Sequence, residues 1–444
     1  MLWLPTPKRR KALARLKRRR RRRFIARLLL FLFVLLGLGP AAVAPAPALL
    51  VQVQQITAPF QFDFVDWESQ ALVSEFQRRL SPPPVPAGGA LQTTLVETYL
   101  ERQGHIGQLN TELDRLYARC PDPMAAACSE TKHEIDPLEH DLASLKAAQA
   151  EILPQVETIL VRQTETVLRE EGFTLDGQVF PPVAFRLLDP PTALILSPRD
   201  RIENQHIVGL KPLFDPGRRA DIEHTLDRRG DVSSYVTNVG GLGSYPTMVL
   251  NSSWLPWLVE VIAHEWTHNY LYTFPTNIAW GYQTNPRLTT LNETTADLVG
   301  KEIGRNVITR YYPTWIDRLP PLDASGQPAP AEPSEFDLAM RHIRQRVDRL
   351  LAVGKIEEAE AYMEAERLKL VEKGYNLRKL NQAYFAFHGS YALSPASVDP
   401  IGPQLRQLRA KSPGLKAFLN EVGWLNSYED YLAWLDRAGI EYEE

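Results

Sequence analysis

Cysteine is almost missing from this chain: Cys120 and Cys128 are the only two in 444 residues. That excludes a disulfide-knit scaffold and any thiolate-rich metal centre, and the pair forms no C-x-x-C redox or zinc motif. Methionine and histidine are sparse too, at 5 and 9, so a cluster of histidines carries weight. Acidic residues are absent from residues 1–27, which hold thirteen Lys or Arg, including the run Arg18 to Arg23. No apolar run reaches the ~20 strongly apolar residues of an ordinary membrane helix. The strongest stretch, Leu28 to Gly39, continues only weakly through Pro40 and an Ala/Pro-rich half to Val53.

A basic arm directly before an apolar run points to a positive-inside membrane segment. The expectation is a single-pass anchor at 28–53, with residues 1–27 cytoplasmic and the body extracytoplasmic. The alternative is secretion after cleavage near Ala42-Val43-Ala44, which Pro45 disfavours. Outside the arm, 37 basic residues face 53 acidic ones. An acidic exported body is not the profile of a nucleic-acid binder. In an oxidising compartment Cys120 and Cys128 are expected to close a short loop as a disulfide.

The pattern along the chain predicts an α+β protein, mostly α-helical. After a short helix from Trp67 to Leu80 and a Pro/Gly linker, residues 91–119 repeat Leu95, Tyr99, Ile106, Leu109, Leu113 and Leu116 at helical steps. Residues 129–172 are helical again, with Pro137 and Pro154 as expected interruptions. Together they read as a helical hairpin with the cysteines at its tip, making 54–172 one region. Phe180–Leu188 and Thr192–Leu196 read as strands of a small sheet that opens a core at 173–315. Residues 316–334 form a Pro-rich loop. Residues 335–444 form a C-terminal helical region, breaking near Gly354, Pro400, Pro413 and Gly423, that would cover the site.

The most informative residues are His264-Glu265-Trp266-Thr267-His268. Histidines four apart on a helix converge on one side, a geometry that suits tetrahedral Zn²⁺, and the glutamate can activate the metal's water. A helix is expected from Trp254 to about Tyr272, N-capped by Ser252 or Ser253, with Pro256 tolerable in its first turn. Leu255, Val259, Ile262 and Trp266 form its core stripe, nearly opposite the histidines. Catalytic zinc usually takes a third protein ligand. No histidine lies between Tyr270 and Asn292. Glu293 and Asp297 instead share one face of a second helix, about Pro286 to Ile308. Glu293 can reach the metal, and Asp297 can accept the free ring N–H of a ligand histidine.

H-E-x-x-H followed by Glu293-x-x-x-Asp297 resembles the gluzincin zinc peptidases, the thermolysin-like clan, over residues 235–310. The resemblance implies His264, His268 and Glu293 as zinc ligands, Glu265 as general base and Asp297 as the residue that orients the first histidine. It also implies an exposed edge strand just before the zinc helix that binds substrate by strand addition; Thr247–Leu250 is placed to be that strand, or part of an ordinary hairpin. Clan members use a Tyr or His from a later helix as oxyanion donor. Tyr384, His388 and Tyr391 have the spacing of one helix face, and His388 and Tyr391 are the choices, with an aromatic core stripe as the alternative. Tyr270 and Tyr272 are weaker candidates.

The expected function is therefore a membrane-anchored zinc peptidase acting on a peptide or protein substrate. The competing class is a non-catalytic exported binding or assembly protein in which a structural or vestigial metal site only joins helices.

Overall fold

The computed structural model describes residues 48–119, 129–212, 216–228 and 232–442. The expected basic arm, most of the expected anchor and the Cys120–Cys128 pair lie outside them. Among the described residues, no helix is long and apolar enough to cross a membrane.

Helix α1 (Ala48–Thr57) is followed by α2 (Phe64–Leu80), which starts three residues earlier than the apolar pattern suggests. Asp63 explains the difference: its carboxylate accepts the Asp66 N–H at 2.9 Å and caps the first turn. The hairpin follows as α3 (Gly89–Arg119) and α4 (Ser129–Glu170). Tyr99, Ile106, Leu113 and Leu116 are buried, as their spacing predicts. Contrary to expectation, α4 runs unbroken through Pro137 and Pro154. Each proline costs a backbone hydrogen bond. Val156, Ile159, Leu160, Val167 and Leu168 further along α4 lie in the main core, and this tertiary burial outweighs the local penalty.

The expected single small sheet is instead divided. After the two-residue strands β1 (Thr174–Leu175) and β2 (Gln178–Val179) come β3 (Phe185–Leu188), β4 (Thr192–Pro198) and β5 (His206–Leu210). Helix α5 (Pro216–Asp227) leads to β6 (Val232–Thr237), β7 (Gly241–Leu242) and β8 (Thr247–Leu250). One three-stranded sheet has the order β5-β4-β6, all antiparallel, with every residue of β4 buried. The other has the order β3-β8-β7, with β3 parallel to β8 and β7 antiparallel to it. Phe180 to Ala184 stay outside the strand, since Pro181 and Pro182 cannot donate to a ladder.

The remaining helices are α6 (Leu255–Leu271), α7 (Asn277–Trp280), α8 (Pro286–Tyr311), α9 (Glu335–Ala352), α10 (Ile356–Glu372), α11 (Gln382–Gly389), α12 (Ile401–Lys411), α13 (Leu415–Gly423) and α14 (Tyr428–Ala438). Breaks fall at Gly354, Pro400, Pro413 and Gly423, as the turn residues predict. Residues of α3, α4, α6, α8 and α12–α14 share the main apolar core, while α9, α10 and part of α11 build a second one around Met340, Ile343, Val347 and Met363.

Candidate metal centre

Helix α6 is buried on almost every side. The expected stripe of Leu255, Val259, Ile262 and Trp266 is at most 2 % exposed, and Leu258, Ala263, Thr267 and Leu271 are buried as well. Trp266 donates its indole N–H to the Pro181 carbonyl at 2.8 Å and packs edge-on against Phe173. Pro256 sits in the first turn as expected, but neither Ser252 nor Ser253 is the N-cap. Trp254 holds that position without a side-chain cap, while Ser252 Oγ accepts the Trp254 N–H. Burial stabilises this helix enough to dispense with the cap.

Two glycines fix how α8 lies on α6. A Cβ at Gly300 would stand 2.7 Å from the Glu260 carbonyl and 3.3 Å from His264 N, and one at Gly304 would stand 2.9–3.1 Å from Glu260. The backbones therefore touch at a point where any side chain would hold them apart. The helices run antiparallel, so Gly304 and Gly300 meet the turn before His264, while Glu293 lies two turns on, beside both histidines. His264 Nε2 and His268 Nε2 are 3.1 Å apart, and Glu293 Oε2 is 3.5 Å from the first and 3.8 Å from the second. Ligands 2.0–2.1 Å from a tetrahedral zinc are separated by roughly 3.3 Å. The three side chains form the one His/Cys/Asp/Glu group of this kind among the described residues, and they retain 6–16 % side-chain exposure.

Glu265 is buried beside the cluster, and its Oε2 has no hydrogen-bond partner. Burial pushes its carboxyl up to about 8, with Glu293 adding to the rise and His264 opposing it. Burial works against a charge on His264, but Glu293, Glu265 and Asp297 outweigh it and hold that imidazole at about 9. Burial takes His268 the other way, to about 4, against the pull of Glu293. Glu293, despite burial, is held below the usual carboxylate range by His268, His264 and a hydrogen bond from Tyr391. A metal replacing the His264 proton must therefore displace it. Zinc uptake near neutral pH is expected to release about one to two protons, from His264 and in part from Glu265, with affinity falling as pH is lowered. Calorimetry in buffers of different ionisation heat measures this, and a release of none would contradict the charged state of His264.

The oxyanion candidates separate. Helix α11 ends at Gly389, so Tyr384, His388 and Tyr391 do not share its face. Tyr391 reaches the cluster from the following turn. Thr294 Oγ1 accepts the Ala392 N–H at 3.1 Å, tying that turn to the residue after Glu293. The Tyr391 ring lies 6.4 Å from that of His264, and burial raises its hydroxyl well above the usual range. His388 is exposed and packs among Tyr384, Phe387 and Tyr235 rather than with the three ligands. Tyr270 points into the core and donates to Asn420 Oδ1 at 2.7 Å. Tyr272 stays within electrostatic reach of Glu293 and Glu265. Asp297 contributes to the field on His264, but its carboxylate accepts a hydrogen bond from Lys301 Nζ at 2.5 Å.

Of the two expectations for Thr247–Leu250, the hairpin is the one observed: β8 pairs antiparallel with β7 and is the middle strand, with β7 at the edge. Leu250 N donates to Gly240 O at 2.8 Å, so in this register the Gly241 N–H and C=O point away from β8. A Cβ on Gly241 would fall 2.2 Å from Glu265 Oε1, and one on Gly243 would be 3.7 Å from Glu265 Oε2. The bare strand thus lies directly on the candidate base. Gly241→Ala is expected to displace Glu265; if Glu265 serves a metal-dependent hydrolysis, turnover falls by about 10–100-fold without loss of metal, and unchanged turnover would show that the contact is unimportant.

Two neighbours escaped sequence reasoning. Tyr282 stacks on His268 with ring centroids 6.1 Å apart and planes 7° apart. Asn292, just before Glu293, favours the charged form of His268 and donates to Ile278 O at 2.6 Å. Its position next to a candidate ligand was the available signal. No family model matches the chain, and no curated protein or solved structure matches it either.

Proposed function

We propose that the chain is a zinc-dependent peptidase, anchored at residues 28–53 with its body extracytoplasmic. The observation that carries the reading is the spacing of His264 Nε2, His268 Nε2 and Glu293 Oε2, at 3.1–3.8 Å, beside a buried glutamate oxygen without a partner. Two imidazoles and a carboxylate are the donor set of an open catalytic zinc site. A merely structural site would be expected to be closed by a fourth protein ligand, and among the described residues the cluster offers three.

Bound there, zinc would polarise a scissile carbonyl and acidify a water. The other roles fall to the chain. Glu265 accepts the water's proton and returns it to the departing amine; its burial raises its basicity toward the working pH. The outward N–H and C=O of Gly241 offer a peptide main chain a strand edge to pair with. Tyr391, whose hydroxyl stays protonated at neutral pH, donates to the negative oxygen that develops on the carbonyl. Tyr282 holds the His268 ring by stacking.

The test is direct. The purified chain is analysed for zinc and incubated with a peptide pool of mixed sequence, with products read by mass spectrometry. Cleavage that stops on chelation and returns with zinc is expected. A chain that takes up no zinc, or cleaves nothing when loaded, overturns the reading.

A further inference from the structure

Helix α2 carries its apolar residues on the wrong side for a core helix. Val65, Leu72, Val73, Phe76 and Leu80 are 78, 38, 59, 62 and 71 % exposed. At 100° per residue these five, with Ser69, occupy an arc of about 100°. The opposite side is the one fixed to the protein. Ala71 and Glu75 are buried there. Glu75 binds Arg186 at 2.9 Å and Arg79 at 2.7 Å, and Arg78 pairs with the buried Glu157 of α4. Glu157 also accepts the Leu187 N–H of β3 at 2.8 Å. Ion pairs and ladder contacts thus lock the rotation of the helix with its apolar stripe turned outward. Taking about 150–200 Å² for each fully exposed side chain of these types, the stripe presents about 500 Å², the size of the largest apolar patch on a typical monomer, which is often functional.

We propose that this stripe rests on a lipid bilayer surface. The proposal depends on the anchor reading given above. Two observations favour lipid over a second copy of the chain. The stripe begins only twelve residues after Val53, where the apolar segment that follows the basic arm ends, and about ten residues of connecting chain span at most roughly 35 Å. An anchored chain therefore holds α2 within reach of the bilayer. In addition, about 500 Å² falls short of the ~800 Å² per partner that a stable protein pair buries. It suffices as a second contact when an anchor already supplies the first, since tethering makes the second binding event intramolecular. The bilayer would take Val65, Phe76 and Leu80 among its acyl chains, with Asp66, Gln70 and Gln77 at the polar border.

The test uses the full chain mixed with phosphatidylcholine–phosphatidylglycerol vesicles. Phe76→p-benzoylphenylalanine, a near-isosteric photocrosslinker at an exposed position, is compared with the same replacement at Ser74, on the far side of the exposed arc. Vesicle flotation is measured in parallel. The expected result is co-flotation, with lipid adducts at position 76 several-fold more abundant than at 74. A chain that floats but gives equal or no lipid adducts at 76 overturns this proposal and leaves the anchor standing. Protein–protein adducts at 76 would assign the stripe to a second copy and also overturn it. A chain that does not float and gives no lipid adduct refutes both the anchor and the stripe contact.

Discussion

Glu265→Gln is expected to lower peptide hydrolysis by about 10²–10⁴-fold while leaving zinc content unchanged. The amide has the size and shape of the carboxylate, so it fits the same pocket below Gly241, where the strand passes too close for any larger group. It cannot take a proton. The native carboxyl is held at about 8 in the metal-free site because burial penalises its charge. A carboxyl raised in this way makes folding less favourable as pH rises above its unfolded value, and a neutral amide escapes that penalty. The variant is therefore expected to melt no lower than the parent, which separates lost chemistry from lost structure. Zinc analysis, a thermal melt and turnover on one preparation decide the matter. Full activity in the variant would remove Glu265 from the mechanism.

His268→Ala should have the opposite signature. His268 is 5 % exposed, neutral at pH 7 and stacked on Tyr282. The site then keeps one imidazole and one carboxylate. Zinc affinity is expected to fall by more than the ~10–100-fold that loss of a supporting residue costs, and hydrolysis falls with it. In the parent, zinc at about 1,000 times its Kd would raise folding stability by about 4 kcal/mol; in the variant, once affinity has fallen more than about 100-fold, that zinc-dependent gain should shrink to below about 1.4 kcal/mol at the same concentration. Equilibrium dialysis and melts with and without zinc measure both. Stoichiometric zinc retained by the variant would rule out His268 as a ligand.

Much of this arrangement is legible in the sequence because it follows local periodicity. Leu255, Val259, Ile262 and Trp266 fall on one stripe, and they are buried. Histidines at four-residue spacing must face the same way, and the cluster with Glu293 is present. What was misread depends on partners distant in the chain. Pro137 and Pro154 look like breaks until the packing of α4 is known. Thr247–Leu250 reads equally as an edge strand or half of a hairpin until its pairing with β7 is known. His388 and Tyr391 are indistinguishable by spacing, but the bond from the Ala392 N–H to Thr294 brings only the tyrosine to Glu293. Gly300 and Gly304 read as weak points of a helix, since glycine lowers helix stability by about 1 kcal/mol. Their purpose appears only with α6 against them.

That glycine contact also bears on which ion the centre would accept. The gap between the histidine pair and Glu293 is set where two main chains abut, at Glu260 and the backbone of His264, rather than by the donor atoms themselves. Main chains in contact can move neither closer nor, without opening a void in the surrounding core, further apart. A larger cation such as calcium, which prefers more oxygen donors at longer bonds, would have to pry the helices apart to be seated. Selectivity for a small, nitrogen-loving dication would then be written into two residues that never touch it.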